Sequence, residues 1–497
     1  MLNMKTTLFL EDVFCDSGVP QYTFVEPSEY TKTKVALRTP GRGVVVEGPS
    51  GIGKTTCIKK ILEEIALKAT CLSARKKEDV ECIELLLETP QDDWGIVIID
   101  DFHCLSDEIK QSISDLLKVC ADEGRTNMKL VLIGINRAGE SLVNLAADLN
   151  DRIETIKFQK NSNEKVLELI EKGEYSLNVS IQCKHEIVEE SCGSFHIAQM
   201  LCKTICIIQN ITEQTENLCQ ITTSIEAAIT QKMQELNRIF KEPVQLFAVG
   251  NRNRRSGRVP YLRLLMWLAE CDEGAIQMSD ICLRHPQYKA SINQIADRGY
   301  ISLLISKHKA IGDILYYETN SKLLAVENPK FVFYLKHLDW DQFAKEMGGK
   351  LEECKTKYDF AISFAGERRE YAKIIYNQLI DNEFSVFYDK DLDISADILG
   401  RDLDKYFGPI YEVDATYIIA LIDNIYSQKI WPVFEMSKYK KRFKEGSVIP
   451  ILFEDFHPSL VDPLYNKGCM SIDSTKPNIQ QQIEEIVKHL TTKMNIN

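Results

Sequence analysis

The chain has 497 residues, 44% hydrophobic and 27% charged, which is the composition of a globular protein large enough for about three domains. Its net charge of −13 argues against a protein that coats nucleic acid through a uniformly basic surface. Fifteen cysteines without a C-x-x-C pair indicate neither a zinc centre nor a disulfide framework, and no apolar run suits a signal peptide or membrane span, so we expect a cytoplasmic protein without membrane contact.

The first strong motif follows the apolar run 44–46, where a glycine-rich segment leads into helical apolar spacing. Residues 48–55, GPSGIGKT, have the full spacing of a phosphate-binding loop (P-loop) in the strand–turn–helix context that this loop requires. Lys54 is placed to reach the β- and γ-phosphates, and the Thr55 hydroxyl can ligate Mg²⁺. The sequence therefore predicts binding of a nucleoside triphosphate with Mg²⁺. The residues predicted to bind it are Gly48, Pro49, Ser50, Gly51, Ile52, Gly53, Lys54, Thr55 and Thr56.

Further apolar runs at 70–72, 96–99, 130–133 and 155–158 alternate with helical patterns and predict a parallel sheet covered on both faces. The run at 96–99 ends in Asp100 and Asp101, the form of a Walker B motif on a strand beside the P-loop. Asp100 is assigned to Mg²⁺ and Asp101 to the attacking water. At the end of the next strand, Asn136 and Arg137 lie between the Walker strands, where they can sense the γ-phosphate.

Several residues of this region have two interpretations. Tyr22 or Phe24 could stack on adenine, or either could be an ordinary strand-edge residue. Arg137 and Arg152 could act on the transferring phosphate, Arg152 toward a neighbouring subunit's nucleotide, or could form surface salt bridges. The P-loop, the aspartate pair and residues 133–137 resemble the AAA+/STAND group, which includes the nucleotide-binding modules of NLR-type immune receptors. That resemblance implies a helical lid, in which His196 either contacts the nucleotide or is a packed helix residue.

Residues 241–345 have the pattern of three helices and a hairpin. A buried helix is predicted over 261–268, two more over 278–282 and 291–298, and the hairpin from 300–304 with 314–317. This set suggests a winged helix. It could bind DNA, with phosphate contacts from Arg252, Arg254, Arg255 and Arg258 and base contacts from Lys289, Asn293, Gln294 and Arg298. Alternatively it could be a hinge that locks the nucleotide. The negative net charge of the chain favours this second interpretation.

The last segment, 355–497, has strand patterns at 357–364, 384–389, 415–422 and 448–453, which predict a flavodoxin-like α/β unit. Three of its sequence boxes, YDFAISFAGE at 358–367, FYDK at 387–390 and WPVFE at 431–435, resemble a bacterial TIR domain. That resemblance implies cleavage of NAD⁺ at the nicotinamide–ribose bond, with Glu435 as the catalytic carboxylate. The residues implied to bind NAD⁺ are Phe364, Ala365, Gly366, Arg368, Tyr388 and Trp431. Where the family often has Ser-Lys-His after the third strand, this chain has Asp423-Asn424-Ile425.

The predicted fold class is therefore α/β and multidomain. The predicted units are a P-loop ATPase core at 1–160, a helical lid at 161–240, a winged-helix-like domain at 241–345 and a flavodoxin-like TIR domain at 355–497. The favoured function is an ATP-regulated NAD⁺ hydrolase in which nucleotide-driven homo-oligomerisation activates the TIR domain, for antiphage defence by NAD⁺ depletion. A phage-derived trigger or a separate sensor protein is expected as a partner. The alternatives are an ATP-dependent TIR scaffold without catalysis and an initiator-type, DNA-associated ATPase.

Overall fold

A computed structural model describes residues 7–15, 18–90, 92–135, 152–251, 259–271, 273–347, 351, 354–389, 402–454, 456 and 468–496. Within this part of the chain, none of the helices combines the length and the apolar character needed to cross a membrane. The chain is α/β, as predicted, with two separate parallel sheets and a mainly helical region between them.

The first sheet has five parallel strands in the order β2-β3-β4-β1-β5. The strands are β1 (Gly43–Glu47), β2 (Ala69–Ser73), β3 (Gly95–Asp100), β4 (Met128–Ile133) and β5 (Ile153–Lys157). The helices before and between them are α1 (Leu10–Val13), α2 (Tyr30–Arg38), α3 (Lys54–Glu64), α4 (Lys77–Glu88) and α5 (Asp107–Asp122). Val45 packs into one buried core and Val44 and Val46 into another, because successive side chains of a strand point to opposite faces. The prediction of a parallel sheet covered on both faces is confirmed.

The order of these strands corrects one expectation. The Walker B strand β3 does not lie beside the P-loop strand β1, because β4 pairs with both of them and lies between them. Asp100 nevertheless reaches the P-loop, because its carboxylate accepts a hydrogen bond from the Thr55 hydroxyl. The position predicted for the end of β4, between the two Walker strands, is the one observed.

A helical region follows the first sheet. Its elements are α6 (Asn163–Leu177), β6 (Val179–Ile181), α7 (Lys184–Ser191), α8 (Phe195–Ile208), β7 (Cys219–Ile221) and α9 (Ile225–Val249). Helix α9 continues through the boundary predicted at 240/241. Buried residues of this region and of the next one belong to one hydrophobic core that extends from Leu10 to Ala344, so these two regions pack together as one body. Cys202 and Cys206 are fully buried in that core.

The next region has seven helices in its described part and a small antiparallel sheet, ordered β8-β10-β9. The helices are α10 (Pro260–Glu270), α11 (Met278–Arg284), α12 (Lys289–Asp297), α13 (Tyr300–Lys307), α14 (Lys309–Gly312), α15 (Pro329–Lys336) and α16 (Trp340–Glu346). The strands are β8 (Ala275–Gln277), β9 (Leu315–Glu318) and β10 (Leu323–Val326).

The strand predicted at 300–304 was wrong, because these residues begin helix α13. Ile301 and Leu304 are buried while Leu303 is exposed, and a spacing of three between buried positions is that of a helix. An apolar run this short is ambiguous between helix and strand when only its sequence is known. The hairpin is instead formed by β9 and β10.

The second parallel sheet has the order β12-β11-β13-β14-β15, so its first strand in sequence lies between the second and the third. The strands are β11 (Tyr358–Phe364), β12 (Val386–Phe387), β13 (Ala415–Ile422), β14 (Val448–Phe453) and β15 (Met470–Ile472). The helices are α17 (Arg369–Asp381), α18 (Leu403–Pro409), α19 (Ile430–Tyr439) and α20 (Ile479–Ile496). In this order β12 pairs with one edge of β11, and β13 pairs with the opposite edge of β11. The carboxyl ends of β11 and β13 therefore flank a crevice, the usual ligand position in open α/β sheets.

Candidate functional site

The P-loop has the backbone that phosphate binding requires. Gly51 and Gly53 have φ angles of +78° and +101°, in the left-handed region that side-chain-bearing residues rarely adopt. Helix α3 begins directly afterwards at Lys54, so its free N–H groups and positive dipole end face the loop. The loop therefore presents a concave row of donors to an anion.

Lys54 lies inside this loop. Its Nζ donates hydrogen bonds of 2.8 Å to the carbonyl oxygens of Gly48 and Pro49. Burial lowers the pKa of Lys54 to about 8, although Asp100 and Asp101 act in the opposite direction. A phosphate beside Nζ would supply the negative charge that compensates for this burial.

The predicted magnesium ligands lie together. The Thr55 hydroxyl donates to Asp100 Oδ2 over 3.0 Å, so a hydroxyl and a carboxylate oxygen converge beside the loop. Hard oxygen donors of this kind suit Mg²⁺, which in such sites is completed by phosphate and water oxygens. Asp101 has φ +57° and pairs with Arg75 Nε at 3.0 Å, so its carboxylate is engaged by a cation.

A cavity of about 300 Å³ opens in front of these groups. The entry segment contributes Phe24 to its wall, the helical region contributes Phe195 and His196, and Glu327 closes one side. Phe24 thus lines this cavity, whereas Tyr22 is 39% exposed, and the adenine contact suggested for either residue stays a prediction. The volume, the phosphate-binding loop and the oxygen pair fit a nucleoside triphosphate with Mg²⁺.

Glu327, which the sequence analysis did not single out, joins the region of helices α10–α16 to the ATPase sheet. Its carboxylate pairs with Arg75 and, over 3.0 Å, with His103 Nε2, and its carbonyl oxygen accepts a 3.1 Å hydrogen bond from Ser50 of the P-loop. Burial lowers the pKa of His103, but hydrogen bonds with Cys104 and Glu327 raise it more, to about 9. Burial raises the pKa of Glu327, but His103 and Arg75 bring it below its ordinary value. We call Glu327, Arg75 and His103 the clasp.

Glu327→Ala is expected to destabilise the protein by about 3 kcal/mol, because it leaves the buried, charged His103 without its carboxylate and removes one of the two acidic partners of the partly exposed Arg75. The pKa of His103 is raised from 6.5 to about 9 in the folded protein, so the stability it contributes is present below pH 6.5 and is lost as pH rises through 9. The effect of the substitution should therefore shrink over that range. Denaturant unfolding at several pH values measures it. Glu346→Ala, which removes a more exposed pair with Lys241, is the control, and an equal loss in both variants would contradict the role of the clasp.

The other residues predicted to contact nucleotide or DNA either lie outside the described part of the chain or are engaged in contacts within the protein. Asn136 and Arg137 lie outside the described residues, as do Arg252, Arg254, Arg255 and Arg258. Arg152 pairs with Asp122 at 2.8 Å within the chain. Two residues of the suggested DNA-reading helix are occupied by protein contacts: Asn293 accepts a hydrogen bond from Cys282, and Gln294 is buried and donates to the Ile380 carbonyl of helix α17.

In the C-terminal unit, Glu435 lies on helix α19 with its carboxylate buried against the end of β11. Ser363, the penultimate residue of β11, donates a 2.5 Å hydrogen bond to Glu435 Oε2. Burial raises the pKa of Glu435 to about 8, and the negative charge of Asp389 acts in the same direction, against hydrogen bonds from Ser363 and Tyr411. A perturbed carboxyl group at the carboxyl end of a parallel sheet has the character of a functional group.

Arg368 is fixed at the same edge of the sheet. Its Nε donates over 2.8 Å to Asp423 Oδ2, a fully buried carboxylate directly after β13, and its guanidinium lies 3.9 Å from the ring centre of Phe453. Asp423 also accepts the backbone N–H of Tyr426 at 2.8 Å, which orders the turn leading to helix α19. The residue that departs from the resembled family therefore anchors Arg368, a contact that the sequence pattern did not indicate.

The remaining residues implied for NAD⁺ are aromatic or small. The rings of Phe364 and Tyr388 stack at 5.7 Å, and Tyr388 is buried. Trp431 is 40% exposed one helical turn before Glu435 and contacts Phe407 edge to face. Ala365 is buried, and a Cβ placed on Gly366 would have its nearest contact at 3.9 Å. The structure thus brings Phe364, Tyr388 and Glu435 to the same end of the sheet.

Comparisons with known proteins address the N-terminal region directly. Residues 44–160 match the ATPase family associated with various cellular activities (AAA). The N-terminal region therefore contains an AAA ATPase domain, which implies ATP binding, usually with Mg²⁺. Among solved structures, the chain is similar to the RuvB Holliday junction branch migration motor of Thermotoga maritima, at 15% identity and a TM-score of 0.34 over 67% of this chain and 100% of that one. It is also similar to the ORC2 protein of Aeropyrum pernix, at 14% identity and a TM-score of 0.38 over 69% and 98%.

A curated relative addresses the TIR resemblance. The chain is 34% identical over 102 residues to the 3′ cyclic ADP-D-ribose synthase AaTIR of Aquimarina amphilecti. This match covers 20% of the present chain and 31% of the relative, so the chain spans about a third of that protein's length. It supports the presence of a TIR-like segment beside the ATPase domain.

Proposed function

We propose that this protein is an ATP-regulated TIR NAD⁺ hydrolase, in which the ATPase unit controls a C-terminal catalytic unit. The observation that carries the proposal is the position of Glu435, a buried carboxyl group at the crevice between the ends of β11 and β13. The strand order of this sheet supports a flavodoxin-like TIR domain. The named relative acts in ADP-ribose chemistry, which supports NAD⁺ as the substrate.

The proposed reaction requires groups of the kind found at the carboxyl edge of the second sheet. Breaking the nicotinamide–ribose bond leaves positive charge on the ribose, and a carboxylate directed at that charge stabilises it. Glu435 would be this carboxylate. The stacked pair of Phe364 and Tyr388 and the partly exposed Trp431 would bound the sugar and the nicotinamide. The proposed product is ADP-ribose, either linear or cyclised.

The ATPase unit would act as the switch. Glu327 and Pro329 lie against the P-loop, where a Cβ on Gly51 would approach Pro329 to 2.7 Å. The region of helices α10–α16, which we propose is winged-helix-like, therefore contacts the nucleotide site. Binding of ATP would favour an arrangement that oligomerises, as in STAND and NLR-type proteins, provided that ATP has different affinities for the two states. By that resemblance we propose a role in antiphage defence, with a phage-derived trigger or a sensor protein as partner.

Release of nicotinamide from NAD⁺ tests the proposal directly. Purified full-length protein is expected to release nicotinamide, and Glu435→Gln to lose at least 99% of that activity, in keeping with the loss of a transition-state charge partner. Glu445→Gln, an exposed acid beyond the same helix, is the control and should retain activity. Because a missing trigger could silence the purified protein, the assay is repeated in cells that express each variant. NAD⁺ loss and toxicity that persist in Glu435→Gln would contradict catalysis and favour the scaffold.

A further inference from the structure

Behind Glu435 lies a row of three buried hydroxyl groups. Tyr439 OH and Tyr426 OH are 2.7 Å apart, Tyr426 OH contacts Ser363 Oγ, and Ser363 Oγ is 2.5 Å from Glu435 Oε2. All three hydroxyl-bearing residues are fully buried. They come from three elements, since Ser363 is on β11, Tyr426 in the turn after β13, and Tyr439 one helical turn beyond Glu435 on α19. We call this set the hydroxyl row.

The hydrogen bonds of the row have one consistent direction. Each hydroxyl has a single proton to donate. Ser363 uses its proton on the carboxylate, so its oxygen accepts from Tyr426, whose oxygen in turn accepts from Tyr439. Hydrogen bonds in such a series polarise one another in a low-dielectric interior. The effect on the carboxylate should therefore be largest for the adjacent hydroxyl and decline with each further one.

Several other titratable groups act on Glu435. Burial and Asp389, which follows β12, favour the protonated carboxyl, while Ser363 and Tyr411 favour the carboxylate. Tyr411 lies in the short helical segment before β13 and donates its proton to the Ile362 carbonyl at 3.0 Å, so its effect on Glu435 is smaller than that of Ser363. Tyr426 and Tyr439 are themselves held protonated, because burial raises the pKa of each far above its ordinary value. The hydroxyl row therefore stays a set of donors throughout the neutral range.

We propose that Ser363 is a positioning residue for Glu435, and that Tyr426 and Tyr439 act on Glu435 through Ser363. This inference rests on the proposed function for its catalytic meaning. The row fixes one carboxylate oxygen from the buried side and favours the charged form that the ribose cation requires. The sequence places Ser363 in the box 358–367 without giving it a role, and Tyr426 and Tyr439 have the pattern of ordinary core aromatics.

The test measures how the rate of nicotinamide release depends on pH in four variants of the full chain. The rate should rise with pH as Glu435 ionises, and Ser363→Ala should move the half-maximum of this ascending limb up by about one to two pH units, the amount expected for a lost hydrogen bond to a charged group. Tyr426→Phe should move it less and Tyr439→Phe least, while Ser363→Thr, which keeps the hydroxyl, should leave it in place. Two results would overturn the proposal. One is a rate that falls by the same factor at every pH, and the other is a half-maximum that moves by the same amount in all the variants.

A second readout needs no activity. The pH dependence of denaturant unfolding is compared between each row variant and the same variant with Glu435→Gln added, which reports the titration of Glu435 itself. The titration midpoint of Glu435 is expected to shift in the same graded order, and identical midpoints in all the variants would overturn the proposal. If the midpoints are graded but neither the purified protein nor the expressing cells release nicotinamide, the row stands and the proposed function fails. Cooperative unfolding of each variant at pH 6 shows that the C-terminal unit is folded.

Discussion

Lys54→Ala is expected to weaken binding of ATP–Mg²⁺ by at least about a hundredfold. Lys54 Nζ is the cation inside the P-loop and is held there by the carbonyl oxygens of Gly48 and Pro49. A triphosphate gains charge-assisted hydrogen bonds from this ammonium group, each worth about 1.5–3 kcal/mol, and alanine can supply none of them. Isothermal titration calorimetry with a non-hydrolysable ATP analogue measures the change.

The matched control is Lys59→Ala on the same helix. Lys59 is exposed, so its removal should change the affinity by less than about twofold, through screened surface charge alone. Similar losses in both variants would mean that Lys54 is not a phosphate ligand. Retained affinity in Lys54→Ala would place the nucleotide elsewhere in the cavity.

Glu435→Gln is expected to stabilise the C-terminal unit by about 3 kcal/mol at pH 7. The pKa of Glu435 is raised from 4.5 to about 8 in the folded protein. The folded state therefore keeps a proton that the unfolded chain loses above pH 4.5, and the stability of the wild type falls as pH rises through 8. Glutamine keeps the shape and one oxygen without this titration. Denaturant unfolding of both proteins between pH 4.5 and 9 measures the difference.

The gap between Glu435→Gln and the wild type should open above pH 4.5 and level off above pH 8. Glu445→Gln serves again as the exposed control and should show no such opening. A gap of constant size would indicate a packing effect unrelated to ionisation. A gap that closes with rising pH would mean that Glu435 is ionised in the folded state, against the burial observed.

The two predictions concern opposite uses of burial. Lys54 is half-buried where a ligand can supply the missing charge, whereas Glu435 is buried against neutral hydroxyl donors of its own unit. Under the proposed function, a folded arrangement that favours the protonated form of Glu435 would be a resting state, because catalysis would need the carboxylate. Activation would then have to include a change near helix α19, because none of the described residues that line the ATPase site is among the groups that act on Glu435.

Sequence patterns predicted the parts of the fold that depend on interactions between residues close in sequence. The P-loop, the Asp100 carboxylate and the continuous apolar strands follow from spacing within a few residues. The error at 300–304 arose where an apolar run was too short to show its period. The clasp could not be predicted, since Arg75 and Glu327 are 252 residues apart and neither stands in a motif. The hydroxyl row likewise depends on packing among three elements.

The measurement that tests the account most directly is nicotinamide release by the full chain with and without ATP–Mg²⁺, in the wild type, Lys54→Ala and Glu435→Gln. The account predicts release by the wild type that depends on ATP–Mg²⁺, and loss of that release in both variants. Release that is independent of ATP and unchanged in Lys54→Ala would contradict control by the ATPase unit. Release that persists in Glu435→Gln would contradict the catalytic assignment itself.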